Sequence, residues 1–175
     1  VLGLGFAYLD GLEVREAALP FLEALFQEVE ANVNLSVLEP GGLEVMYVAR
    51  LRRQEVLSLN LNVGSRLPSY SSSPGRVLLA GLPGPERQAT LAGIMADPQA
   101  AAWLERRRVD LASVLQQVAR EGYAVNDGEY LPELFAMAAP VWDHQRVVAA
   151  MSVALLKRQQ DGQRLRERLL GPLLA

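Results

Sequence analysis

The sequence predicts an α+β domain, a six-stranded and largely antiparallel sheet flanked by helices. Three observations predict it. The periodicities run in the order helix, three strands, helices, three strands, helix. The links within each strand group are hairpin-length, which favours antiparallel neighbours over strand–helix–strand crossovers. The chain has 175 residues, 50% of them hydrophobic and 21% charged, which suits one domain with a core of its own. A fold of this size hides roughly 70% of its extended-chain surface.

The first ten residues, 1–10, read as the end of a connecting segment, and 11–175 as the domain proper. From Glu13 to Glu30, Val14, Ala18, Phe21, Leu22, Leu25 and Val29 form one helical stripe. Pro20 lies within it, so this helix either kinks there or restarts with Pro20 in its first turn. Val33–Leu38 and Leu43–Val48 read as strands joined through Pro40-Gly41-Gly42, a hairpin. Val56–Val63 alternates, with Leu57, Leu59, Leu61 and Val63 opposite Ser58, Asn60 and Asn62, as a half-buried antiparallel strand does.

The middle of the chain is helical. Ser73 is a good N-cap and Pro74 suits a first helical position ahead of Val77-Leu78-Leu79-Ala80. A short helix follows near Glu86–Ile94. Another runs from Asp110 to Arg120, with Gly122 as its stop. Arg106-Arg107-Arg108 reads as a solvated helix face rather than a phosphate site. Three more strands follow at Tyr123–Asn126, Phe135–Val141 and Val147–Leu155, the last two joined by the polar turn Asp143-His144-Gln145-Arg146. A helix over Gln163–Leu170 closes the order.

Composition removes whole classes of chemistry. With no cysteine there is no disulfide framework, thiolate metal site or cysteine nucleophile. A single histidine, His144, leaves no histidine cluster, and it reads as an exposed loop residue. The net charge of −3 offers no basic footprint for nucleic acid. No run of about 18 apolar residues is present, so no membrane partner is expected. The start at Val1, without a methionine or a signal pattern, reads as a cytoplasmic fragment of something longer. No nucleophile elbow, P-loop or zinc-protease motif occurs, so no enzyme, cofactor or metal is expected.

Three features could still form a site. Leu134, Ala136, Ala138 and Pro140 share one strand face, with Phe135 on the other; Val148, Ala150, Ser152 and Ala154 share a face of the next strand. Such small residues leave a hollow that either a closely packed helix or a ligand fills. The helix start at Ser73-Pro74-Gly75-Arg76 turns amides towards a positive helix end, where an anion would offset Arg76. Asn126-Asp127-Gly128-Glu129-Tyr130 brings acceptors to the sheet edge, or is simply a turn.

These features fall within a recognisable order of blocks. It comprises Asn62-Val63-Gly64-Ser65-Arg66-Leu67-Pro68, then Ser73-Pro74-Gly75-Arg76-Val77-Leu78-Leu79-Ala80, then Arg120-Glu121-Gly122-Tyr123-Ala124-Val125-Asn126-Asp127-Gly128-Glu129-Tyr130. Met137-Ala138-Ala139-Pro140-Val141 and Val147-Val148-Ala149-Ala150-Met151-Ser152-Val153 complete it. In these blocks the chain resembles the effector-binding domain of IclR-type bacterial transcription regulators. Gly5-Phe6-Ala7-Tyr8-Leu9 and Leu57–Pro68 look closest to regulators of protocatechuate and 4-hydroxybenzoate breakdown. The resemblance implies a GAF-like sensor that binds a small organic acid, assembles as a homodimer or homotetramer, and meets DNA only through an N-terminal winged helix-turn-helix.

The pocket implied by the resemblance takes in Ser73, Pro74, Asn126, Leu134, Ala136, Ser152 and Ala154. On this reading the effector's carboxylate sits on the hydroxyl and amides of Ser73–Arg76, Gly75 included, with Ser152 as a second donor. Asn126 and Glu129 hold its far polar end, while Leu134, Ala136 and Tyr70 cover a ring. The chain departs from the family at Glu133 and Phe135, where Gly and Arg are common, and at Ala154, where some members have a second serine. The alternative from another class is an oligomerisation module with a vestigial pocket.

Overall fold

The computed structural model describes residues 2–53 and 61–175. Among them, six helices and six strands follow in order, beginning with α1 (Leu2–Glu28), β1 (Asn32–Leu38), β2 (Glu44–Leu51), β3 (Arg66–Pro68) and α2 (Ser73–Gly81). These are followed by α3 (Gly84–Ala96), α4 (Pro98–Arg107), α5 (Leu111–Glu121), β4 (Ala124–Asp127), β5 (Leu134–Asp143), β6 (Arg146–Leu156) and α6 (Gly162–Leu174). The strands form one sheet in the order β3-β2-β1-β6-β5-β4, antiparallel throughout. The predicted α+β class and antiparallel sheet hold.

Alternation along the strands divides the residues between two cores. On one face Val33, Leu35, Val37, Phe135, Met137 and Val153 pack with Leu22 and Leu25 of α1 and Leu165 and Leu169 of α6. Phe135 is fully buried there, on the face opposite Ala136 as parity required. On the other face Val45, Tyr47, Ala138 and Ala150 pack with Val77 and Leu79 of α2 and Leu115 of α5. A bulge shifts the register between Leu35 and Ser36, so Tyr47 rather than Val48 lies opposite Ser36. Val48 and Ala49 both join the α1 side, while Tyr47 joins the α2 side.

Several elements differ from their sequence expectation. Residues 2–10, expected as the end of a connecting segment, belong to α1, which continues through Pro20. Of the predicted strand Val56–Val63, residues 54–60 lie outside the described residues, while Val63 is in a turn; β3 is the later segment Arg66–Pro68. The sequence marks α4 only by the solvated face at Arg106 and Arg107. Asp97 both ends α3, through its own N–H, and starts α4 by accepting from the amides of Gln99 (3.0 Å) and Ala100 (2.8 Å). Only Ala100 and Leu104 of α4 are buried, too short a stripe to register as a period. The N-cap of α2 is Ser72, not Ser73: its Oγ accepts from the Gly75 amide (3.3 Å) and donates to the Pro68 carbonyl (2.8 Å). Ser73 is thereby the first helical residue. At the predicted α5, Asp110 caps the start and Gly122, at φ 79°, ends it in the left-handed conformation that glycine adopts without cost. His144 stands exposed in its turn beside Asp143.

Candidate functional site

The polar face of the sheet and the first turn of α2 enclose a cavity of about 50 Å³. Its floor follows the strand register. Arg50, Asn34, Ser152 and Ala138 lie across β2, β1, β6 and β5 in one row; Asn32, Ala154, Ala136 and Asn126 lie across β1, β6, β5 and β4 in the next. Ser72, Ser73 and Pro74 roof it, with Tyr47 and Leu67 towards β3, and Tyr130 and Leu134 towards β4. The two fates foreseen for the small-residue face divide it between them. Helix α2 packs with Ala138 and Ala150, and the hollow remains at Ala136, Ser152 and Ala154.

The sequence-chosen residues separate into two groups. Ser73, Pro74, Asn126, Leu134, Ala136, Ser152 and Ala154 line the cavity; Tyr70, Gly75, Arg76 and Glu129 do not. The anion expected beside Arg76 is Glu129 itself. The Arg76 guanidinium donates to both Glu129 carboxylate oxygens, at 2.9 and 2.6 Å, and from Nε to the Tyr70 carbonyl at 3.1 Å. The amides of Gly75 and Arg76 are also taken, by the Ser72 Oγ and carbonyl (3.3 and 3.0 Å). A Cβ on Gly75 would fall on the backbone of Ser69, so glycine there serves close approach of chain to chain. Tyr70 is buried against Trp103, with ring centroids 5.6 Å apart.

Asn126 faces the cavity with its amide already engaged. Its Nδ2 donates to the Ser71 carbonyl (2.5 Å), and its Oδ1 accepts from the amides of Glu129 (3.2 Å) and Tyr130 (3.4 Å). Together with the Arg76–Glu129 pair it clasps the loop carrying Tyr130 to the segment before α2. The unpaired polar groups lie elsewhere. Ser73 Oγ and Asn34 Oδ1 are buried with no hydrogen-bond partner among the described residues, and Asn34 Nδ2 reaches Ser152 Oγ only at 3.5 Å. A buried polar atom left unpaired costs free energy that a ligand can recover.

Sequence reasoning missed Asn32, Asn34, Tyr47 and Arg50, all of which line the cavity, and took in Tyr130 only as part of the loop after β4. The alternation Asn32-Val33-Asn34-Leu35-Ser36-Val37 was a signal, but polar positions on a strand ordinarily face water. Here β1 is central and its polar face is covered. Burial pushes the Tyr47 hydroxyl up to about 12, and burial draws the Arg50 guanidinium below the usual arginine range, opposed by Tyr47. Among the described residues no cluster of His, Asp and Glu could hold a metal, and no helix is long and apolar enough to cross a membrane.

An antiparallel sheet, helix-covered over a small hollow with unsatisfied polar groups, has the features of a small-molecule pocket. Comparison with known proteins carries this to a family. The model for the bacterial transcriptional regulator IclR C-terminal region matches residues 6–175, and the chain belongs to that family. It is 32% identical to the Pca regulon regulatory protein of Pseudomonas putida over its whole length, covering 60% of that protein. The Rhodococcus sp. RHA1 protein RHA06195 superposes with a TM-score of 0.82 at 34% identity, covering 99% of this chain and 70% of that one. An IclR homologue from Microbacterium hydrocarbonoxydans, solved in complex with 4-hydroxybenzoate, superposes at 0.69 with 28% identity, covering 94% and 68%. The chain thus spans about 60% of the length of the curated relatives it matches. These relatives are transcription regulators, not enzymes, and the chain is the effector-binding domain of such a regulator.

Proposed function

We propose that the domain senses a small organic acid, of the aromatic class, held without chemical change in the cavity beneath the start of α2. The observation that carries this reading is the pair of buried, unpartnered atoms, Ser73 Oγ and Asn34 Oδ1, facing a hollow walled by Leu134, Ala136 and Ala154. A few convergent polar groups in an apolar enclosure are the usual make-up of small-molecule sites. Ser73 and Ser152 supply hydroxyls to the ligand; Pro74, Leu134 and Ala136 cover its apolar body. The 4-hydroxybenzoate complex of the Microbacterium homologue supports the ligand class. In the whole cytoplasmic regulator, a homodimer or homotetramer, ligand binding favours one arrangement of subunits, and an N-terminal winged helix-turn-helix converts it into DNA affinity.

The test is a thermal-shift panel of 4-hydroxybenzoate, protocatechuate, benzoate, pyruvate, glyoxylate and adipate. An acid present at about a hundred times its dissociation constant adds roughly 2.7 kcal/mol of stability. At about 2–4 °C per kcal/mol for a chain of this size, that raises Tm by roughly 5–11 °C. Ser152→Leu fills the hollow and abolishes the shift while the fold survives. Binding retained in Ser152→Leu moves the site elsewhere. No shift with any acid leaves the cavity vestigial and the domain an oligomerisation module.

A further inference from the structure

Among the described residues lining the cavity, Arg50 is the only charged one and none is acidic. Its Nε and Nη1 are buried and find no hydrogen-bond acceptor among the described residues. Its guanidinium lies over the Tyr47 ring, 5.5 Å from the centroid, a contact that stabilises a cation without supplying a counter-charge. Nor can Tyr47 supply one, because its hydroxyl stays protonated at physiological pH. Arg76 makes the contrast plain: equally an arginine on the α2 side of the sheet, it holds Glu129 through two bonds and a backbone carbonyl through a third. Two guanidinium nitrogens kept from water without an acceptor are costly, and the group remains charged because its proton is held too tightly to be shed.

We infer that Arg50 is the residue by which the cavity selects an anion: the carboxylate of the effector pairs with it at the β2 end, and the rest of the molecule extends towards Ser73 and Ser152. This inference rests on the sensor reading and deepens it. It reverses the orientation expected from sequence, in which the carboxylate met the amides of Gly75 and Arg76. Those amides are occupied by Ser72, whereas Arg50 lies beside Asn34 in the sheet register, within the same enclosure as the unpaired Asn34 Oδ1. A ligand of matching shape but no charge would leave the guanidinium unpaired, so the site discriminates an acid from its own amide.

Calorimetry with 4-hydroxybenzoate and 4-hydroxybenzamide, on the wild-type chain and on Arg50→Met, tests this. The wild type is expected to bind the acid at least tenfold more tightly than the amide. In Arg50→Met the acid loses at least tenfold and the preference disappears, with amide binding changed by less than threefold. The ligand-free Tm of Arg50→Met is expected to equal or exceed that of wild type, because a buried charge without a partner has been removed. Arg50→Lys, which keeps the charge, retains the preference for the acid. A wild type that binds both compounds equally overturns the role of Arg50 and leaves the sensor reading standing. So does an acid preference that persists in Arg50→Met, or a Tm that falls by more than about 5 °C, the mark of a merely structural arginine. If the wild type binds neither these compounds nor any acid of the panel, the sensor reading itself fails and the assignment with it.

Discussion

Replacing Glu129 with Gln removes one charge from a pair whose other member cannot reach water. The Arg76 side chain is 4% exposed and that of Glu129 32%. Breaking a fully buried pair from one side costs about 3–5 kcal/mol, because the remaining charge is stranded. Two features reduce the figure here: the Glu129 end is about one-third solvated, and the Gln side-chain oxygen still accepts one of the two guanidinium bonds. The Tyr70 carbonyl keeps its bond to Nε in either case. The expected cost is therefore near the lower limit, about 3 kcal/mol. At about 2–4 °C per kcal/mol for this chain length, Tm falls by roughly 6–12 °C. Urea unfolding monitored by circular dichroism measures the loss directly as a lower midpoint at unchanged slope. The double variant Arg76→Met/Glu129→Gln removes both charges and is expected to recover at least half of the loss. A single-variant cost below about 1 kcal/mol, the range of exposed pairs, would refute the picture of a buried clasp. A double variant no better than the single one would refute it as well.

Two further perturbations probe α2 and α5. Gly75→Ala drives a methyl group into the Ser69 backbone, and overpacking of this kind costs typically about 1–3 kcal/mol, read as a lower urea midpoint; an unchanged midpoint would mean that α2 can shift away freely. Hydrogen bonds from the Ser113 side chain and amide hold the Asp110 carboxyl below its ordinary 3.8. The sign follows: the folded form binds that proton less readily than the unfolded chain, so the cap stabilises α5 fully above pH 3.8 and is lost as pH falls through the lower folded value. Carbon-detected NMR titration is expected to place the Asp110 inflection below 3.8, and Ser113→Ala to move it back up.

Much of this architecture was legible because period and burial coincide. The two-residue period of β5 and β6 sorted Phe135 from Ala136 correctly, and the stripe of α5 with Asp110 before it and Gly122 after it marked that helix to within a residue. The small-residue hollow was legible for the same reason. The partners of charged residues were not. Arg76 and Glu129 are 53 positions apart, and nothing local reveals that they meet each other rather than a ligand. Arg50 escaped notice because its environment depends on which strand becomes central, a property of sheet order and not of any segment. The single residue separating Ser72 from Ser73 as the cap of α2 was equally hidden, since three successive serines offer the same hydroxyl.

Strand β6 gives neighbouring residues different masters. Positions 150, 152 and 154 look towards α2 and the hollow, whereas 151, 153 and 155 look towards α1 and α6. A substitution at 152 or 154 therefore reshapes the hollow while leaving the opposite layer intact, and a substitution at 153 does the reverse. The two layers can therefore vary separately, through alternate positions of one strand.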